Sequence, residues 1–246
     1  MRTVMLIVEY DGTAYAGWQV QPNGLSIQQV LEEALDRLLG EKVRLHSSGR
    51  TDAGVHAQGM VACFPTTKAI PLKAFTAGLN ALLPPDIAIR DANEVPPGFN
   101  PRREATAKHY RYMLHIGPNR SPLSRDRVWH LRGPLDLSAM RSAAGHFVGD
   151  HDFAAFRASG CAAKTTFRSI RSLEINPDGE FVSIDVVGSG FLKNMVRIMV
   201  GTLVEVGLGR RPSDDIRMLL AGGDRQAAGI TAPAQGLCLM KVYFDR

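Results

Sequence analysis

Ser26-Ile27-Gln28-Gln29-Val30-Leu31-Glu32-Glu33-Ala34-Leu35-Asp36-Arg37-Leu38-Leu39-Gly40 carries both ends of a helix in its own letters. Ser26 followed three residues later by Gln29 is a capping box. Behind it Ile27, Val30, Leu31, Ala34, Leu35, Leu38 and Leu39 recur at helical spacing, and Gly40 stands where a C-terminal cap belongs. Upstream, residues 3–10 form an apolar, β-rich run, and a loop with Asp11, Gly12 and Gly17 joins it to the helix. Downstream, residues 42–47 and 59–64 read as strands about a glycine-punctuated loop. Pro71 opens a second helix that must stop before Pro84-Pro85, and residues 87–95 close the unit as a strand. The order is β-α-β-β-α-β, the ferredoxin-like or split βαβ arrangement.

The rest of the chain repeats that order in topology, though not in sequence. Residues 106–116 form a strand whose even positions put Tyr110 and Tyr112 on one face. Residues 135–147 fit a helix. Residues 168–175 and 180–187 form a hairpin across the turn Asn176-Pro177-Asp178-Gly179. A long helix over 191–206, a shorter one over 213–220 and a last strand over 237–244 complete the pattern. The expectation is an α+β protein of two ferredoxin-like (split βαβ) halves, residues 1–104 and 105–246. Their mixed, mainly antiparallel sheets would flank a central active-site cleft.

Of the 246 residues, 45% are hydrophobic and 22% charged, which excludes wholesale disorder. No uncharged apolar run approaches the roughly 18 residues of a membrane span. The run at 4–8 is cut by Glu9 and is too short for a signal peptide's apolar region. Three cysteines without a C-x-x-C pair argue against a disulfide framework and a structural zinc site, so the expectation is a cytoplasmic protein. The net charge of +5 is concentrated between Pro101 and Arg132. Eight basic residues there (Arg102, Arg103, Lys108, Arg111, Arg120, Arg125, Arg127 and Arg132) face only Glu104 and Asp126, with Tyr110, Tyr112 and Trp129 interleaved. Such a stretch suits a phosphate backbone with bases that can stack, although a solvated basic surface has the same composition.

Two segments hold candidates for chemistry. In Ser48-Gly49-Arg50-Thr51-Asp52-Ala53-Gly54-Val55-His56 a carboxylate sits beside an arginine on a tight loop. The positive neighbour favours the anion, and an ionised aspartate can serve as nucleophile or general base. The commoner role of an aspartate between glycines is to organise a turn. In the helix over 191–206, Leu192, Met195, Val196, Met199 and Leu203 make an apolar stripe, while Gly190, Lys193, Arg197 and Gly201 make a small, basic face. Arg197 there could pair with a carboxylate or snorkel. The seven histidines lack metal-ligand spacing, and no G-x-S-x-G elbow or P-loop is present.

These blocks together resemble the tRNA pseudouridine synthases of the A type. The resemblance is carried by Tyr10-Asp11-Gly12 with Gly17-Trp18-Gln19, by Gly49-Arg50-Thr51-Asp52-Ala53-Gly54-Val55-His56, and by Lys108-His109-Tyr110-Arg111-Tyr112. Gly149-Asp150-His151-Asp152-Phe153, Phe191-Leu192 with Met195-Val196-Arg197, and Ala232-Pro233-Ala234-Gln235-Gly236-Leu237 follow in order. The resemblance implies an isomerase that converts uridine to pseudouridine at positions 38, 39 and 40 of the tRNA anticodon stem-loop. It implies Asp52 as the catalytic aspartate, Tyr110 as the residue touching the target base, and Arg197 as the cation that pairs with the catalytic carboxylate. Arg50 would hold the RNA or fill the gap left by the extruded base. It further implies a homodimer, with no cofactor and no metal. Asn100 and Ser26 depart from the family pattern, where histidine and threonine are usual. The rival readings are a non-catalytic RNA-binding module, in which Asp52 is dispensable, and a small-molecule α/β enzyme that does not bind RNA.

Overall fold

Residues 2–10 bury Val4, Leu6, Val8 and Tyr10 and turn the intervening side chains outward, as a strand with one face on a core must. In the computed structural model, which describes residues 1–245, this strand is β1 (Arg2–Tyr10). It is followed by α1 (Ile27–Leu39), β2 (His46–Ser47), β3 (His56–Thr66), α2 (Leu72–Leu82), β4 (Ile87–Val95), β5 (Ala105–Ile116) and β6 (Trp129–Leu131). Then come α3 (Leu137–Gly145), β7 (Gly149–Asp152), β8 (Phe167–Asp178), β9 (Phe181–Gly188), α4 (Met195–Gly207), α5 (Asp215–Gly222) and β10 (Leu237–Phe244). The chain folds into two compact units, Met1–Thr106 together with the chain from Cys238 onward, and Ala107–Leu237.

In the first unit β1 lies antiparallel between β4 and β3, and β2 adds to β3. The order β4-β1-β3-β2 is that of a split βαβ unit. Ser26 caps α1, its hydroxyl accepting from the Gln29 amide at 3.2 Å, and Gly40 ends the helix in the left-handed region. The reciprocal half of the capping box is not made, because the Gln29 side chain donates to Glu33 instead. Ile27, Leu31 and Leu35 of α1 and Phe75 and Leu79 of α2 are fully or nearly fully buried. Burial of each such side chain stabilises the fold by roughly 1.5–3 kcal/mol.

The last strand was expected in the second half. From Cys238 onward it belongs instead to the first unit, running parallel to β3 with Cys238 opposite His56 and Leu239 opposite Ala57. Gly59 admits it, since a Cβ there would lie 2.6 Å from the Met240 carbonyl oxygen. Phe244 then packs against Phe99, the two rings tilted and 5.5 Å apart.

In the second unit β5, β9, β8 and β7 form an antiparallel ladder, with β6 parallel to the outer half of β5. Tyr110, Tyr112 and Leu114 of β5 sit opposite Val186, Ile184 and Val182 of β9, and all six are buried. α4 is buried on nearly all sides. Its Gly201 meets the loop at Ile230, where a Cβ would lie 1.9 Å from the carbonyl oxygen. The α+β character and the mainly antiparallel pairing are as the sequence reading has them. Among the described residues no helix is long and apolar enough to cross a membrane.

Several element boundaries differ from those expected, β3 among them, which spans His56–Thr66 rather than 59–64. β2 has two residues rather than six, because side chains of α1 occupy the backbone that would have continued it. Glu32 accepts from the Leu45 amide at 2.9 Å, and Gln28 donates to the Leu45 carbonyl at 3.3 Å. β8 runs on through Asn176-Pro177-Asp178, so the hairpin turns only at Gly179-Glu180. α4 begins at Met195 rather than Phe191, because Asn194 adopts a left-handed φ of 59°. Gly190 and Lys193 therefore lie in a loop, and the expected small basic face reduces to Arg197 and Gly201. The strands β6 and β7 are too short to stand out in the sequence.

Gly201→Ala forces α4 and the Ile230 loop apart. The expected cost is about 1–3 kcal/mol, read as a lower urea midpoint at unchanged slope. An unchanged midpoint would show that the close approach is unimportant to stability.

Candidate functional site

The loop of residues 48–55, between β2 and β3, is fixed from beneath. Ser48 is fully buried; its amide donates to the Val61 carbonyl at 2.8 Å and its hydroxyl to the Met60 sulfur at 3.6 Å. Thr51 is the second anchor. Its carbonyl accepts from the Trp18 amide at 3.1 Å, and its hydroxyl lies 2.7 Å from the buried Tyr10 hydroxyl. The Asp52 carbonyl then accepts from the Val55 amide at 3.1 Å, closing a tight turn over Ala53 and Gly54. Thr51 and Val55 are buried, Asp52 between them is half-buried, and Arg50 is exposed. A turn anchored on both sides in the core keeps its backbone in place without help from a ligand.

The segment after β1 clasps the same loop, which explains the sequence blocks around Asp11 and Trp18. Gly17 has a φ of 95°, and a Cβ on it would lie 2.7 Å from the Thr51 carbonyl oxygen and 3.1 Å from the Ala53 amide nitrogen. Gly12 is as tight, with 2.1 Å to the Val55 carbonyl oxygen. Trp18 is almost wholly buried, its ring 6.0 Å from that of Tyr10. His56 is buried where β3 begins, with the Gly12 amide and the Asp11 carboxylate each 3.1 Å from Nδ1. Nδ1 accepts from the Gly12 amide.

In the second unit, Tyr110 is 8% exposed, and its ring meets Phe191 edge-on at 5.1 Å. Tyr112, two residues on, is fully buried and donates to the Pro233 carbonyl at 2.8 Å; burial pushes its phenol well above the ordinary range. Arg197 lies in the first turn of α4. Its Nε donates to the Ala232 carbonyl at 2.7 Å and its Nη1 to the Asn194 side-chain oxygen at 3.1 Å. The Ala232 amide returns a bond to the Arg197 carbonyl at 3.1 Å. The block Ala232-Pro233-Ala234-Gln235-Gly236 is thus a strut under both Arg197 and Tyr112. Gly236 is required there, since a Cβ would lie 2.5 Å from the Tyr112 ring.

The structure thus places Asp52 and Arg50 on one braced loop of the first unit, and Tyr110 and Arg197 on neighbouring elements of the second. The basic stretch is less uniform than its composition suggests. Arg111 and His109 both turn to Asp185, at 2.9 and 2.6 Å, and Arg125 pairs with Asp126 at 3.1 Å. Asn100 caps the turn after it, accepting from the Arg102 and Arg103 amides at 3.0 and 3.3 Å. Sequence reasoning missed the loop over residues 157–166. No periodicity marks it, and its one signal is an unbroken absence of acidic residues from 153 to 173. Among the described residues no group of three or more His, Cys, Asp or Glu is arranged to hold a metal ion.

The sequence profile of a family described as tRNA pseudouridine synthase matches residues 6–102 and 143–245. The chain is 64% identical over 244 residues to the tRNA pseudouridine synthase A of Geotalea uraniireducens, covering 99% of this chain and all of that protein. The corresponding protein of Citrifermentans bemidjiense is 63% identical over 246 residues, covering 100% of this chain and 98% of its own. That of Myxococcus xanthus is 54% identical over 245 residues, covering 99% and 92%.

A matched pair of substitutions tests the clasp. Gly17 and Gly98 both have positive φ, 95° and 83°, but a Cβ on Gly98 meets nothing within 4 Å. Each change to alanine costs roughly 1–2 kcal/mol of backbone strain. Gly17→Ala adds the overlap with Thr51, about 1–3 kcal/mol more. Denaturant midpoints of the two variants measure the difference, and equal midpoints would remove the clasp from the account.

Proposed function

The chain belongs to the tRNA pseudouridine synthase family, and we propose that it acts on uridines 38, 39 and 40 of the anticodon stem-loop with Asp52 as its catalytic carboxylate. The family reaction is an isomerisation of uridine to pseudouridine in tRNA. The bond from ribose C1′ to uracil N1 breaks, the detached base turns, and C5 bonds to C1′. C5 loses its hydrogen and N1 gains one, so nothing is oxidised, reduced or hydrolysed. What the protein must supply is a base lifted from its stack, a fixed carboxylate at the sugar, and charge to hold the RNA.

The observation that carries the assignment is the braced turn at Thr51-Asp52-Ala53. Of the chain's carboxylates, Asp52 stands half-buried on a loop held by the Trp18 amide, the Tyr10 hydroxyl and two glycines. Such a carboxylate is pre-positioned either to attack C1′ or to take the C2′ proton. Tyr110, nearly buried and supported edge-on by Phe191, supplies the aromatic contact to the target base. Arg197, held on two sides by Ala232 and Asn194, and the exposed Arg50 are the basic residues of substrate binding. Action in the cytoplasm as a homodimer belongs to the same reading and rests on the family resemblance.

Tritium release from tRNA labelled at uridine C5 tests the assignment, because C5 must lose its hydrogen when the new bond forms. The unsubstituted chain releases tritium, and Asp52→Ala, compared at equal tRNA occupancy, releases it more slowly by at least roughly 10²–10⁴-fold. Release at the same rate by both would remove Asp52 from the chemistry. Binding without release by either would favour the RNA-binding module, the reading in which Asp52 is dispensable.

A further inference from the structure

We infer that Arg157, Arg168 and Lys193 form a seat for a backbone phosphate of the bound tRNA, at the loop of residues 157–166 and beside the Tyr110–Phe191 pair. The inference rests on tRNA as the substrate and adds a subsite that neither the family resemblance nor the braced Asp52 loop requires.

The fold brings together the three segments that carry these cations. The loop is tied to the segment before α4 by the Ala158 amide, which donates to the Lys193 carbonyl at 3.1 Å, and by the Lys193 ammonium, which donates to the Ser159 carbonyl at 3.1 Å. Arg168, near the start of β8, lies over Gly190, whose Cβ would stand 3.9 Å from Arg168 Cδ. Gly190 is next to Phe191, the residue that supports Tyr110. Register puts Arg168 on the same face of the sheet. Ile170 of β8 is opposite Gly188 of β9, and Gly188 is opposite Lys108 of β5, two residues before Tyr110.

These cations lack the counter-charges found elsewhere in the chain. Arg44, Arg90, Arg111 and Arg211 all meet carboxylates within 3.3 Å. Among the described residues Arg157, Arg168 and Lys193 meet none, and no acidic residue occurs from 153 to 173. Arg168 is half-buried and gives its Nη1 to the backbone carbonyls of Thr165 and Phe167. Burial with no carboxylate beside it draws its guanidinium below the usual range.

The nearest thing to an anion in the cluster is Cys161. Partial burial pushes its thiol up, but the backbone N–H groups of Lys193 and Ala163 and the charges of Arg157 and Arg168 bring it, on balance, below its ordinary value. Two amides and two guanidinium groups that draw a thiol toward its anion are the same set of donors that holds a phosphate. Cys161 therefore reports the field of the seat and is not itself the ligand's partner.

Charge placed at position 161 tests the seat without touching its cations. Cys161→Asp and Cys161→Asn are nearly isosteric, so a difference between them reads charge. Cys161→Asp is expected to bind tRNA about tenfold more weakly than Cys161→Asn. The slope of log Kd against log salt should be smaller by about one, and the difference should appear in KM rather than kcat. A second measurement uses the unsubstituted chain. Iodoacetamide modification of Cys161, followed by peptide mass, should slow at least tenfold under saturating tRNA and be unaffected by millimolar inorganic phosphate. Equal affinity of the two variants, or alkylation undisturbed by bound tRNA, overturns the seat. Equal protection by inorganic phosphate also overturns it, since that describes a site for a free anion. Should no pseudouridine form while the Asp and Asn variants still differ in affinity, the isomerase reading falls and the seat stands.

Discussion

The Trp18 amide donates a hydrogen bond to the Thr51 carbonyl, and this bond is possible only because Gly17 brings bare backbone against backbone. Much of the first unit is organised around that approach. Tyr10 at the end of β1 reaches the Thr51 hydroxyl, Gly12 lies on the Val55 carbonyl, and the Ile27 amide at the start of α1 returns to the Gly17 carbonyl at 3.2 Å. The strand, the first helix and the Asp52 loop are thus joined through one short segment. A loop between two strands ordinarily belongs to the less stable part of a protein. Here Thr51 and Val55 on either side of Asp52 are buried, and the energy of folding holds the backbone that carries the carboxylate.

The second unit solves a similar problem with different means. Arg197 has a long side chain with several rotors, and holding it costs conformational entropy of about 1.5–2 kcal/mol. Two acceptors meet this cost: the Ala232 carbonyl from the far loop and the Asn194 side chain from the start of its own helix. Asn194 can act there because its left-handed backbone delays the helix by four residues relative to the apolar pattern. Tyr112 fastens the same strut from β5 through Pro233. Tyr110 and Arg197 are therefore linked through β5, the strut and α4, and a change in any of these elements reaches both.

What the sequence shows and what it hides follow from the range of the interactions. α1 is legible to the residue because its cap, its period and its terminating glycine are local signals. β4 and β10 are bounded as expected, the first by prolines and the second by a largely apolar run broken only by Lys241. β2 is cut short by Gln28 and Glu32, which lie a helix away, and no reading of residues 42–47 alone reveals that. The Asp52 loop stands out by composition, but its reason for standing still lies at Tyr10, Gly12, Gly17 and Trp18. The proposed phosphate seat is the least legible feature, since Arg157, Arg168 and Lys193 are scattered through the sequence and the segments that carry them come together only in the fold.

The central claim is that Asp52 is held ready before any RNA arrives. Amide hydrogen exchange of the RNA-free chain tests it directly at Trp18 and Val55, the two donors that close the loop. The account predicts protection at both positions comparable to that of the paired amides of β1 and β3. Exchange at the rate of an unstructured peptide at these two amides, with β1 and β3 protected, would contradict it, and would mean that the loop forms only around its substrate.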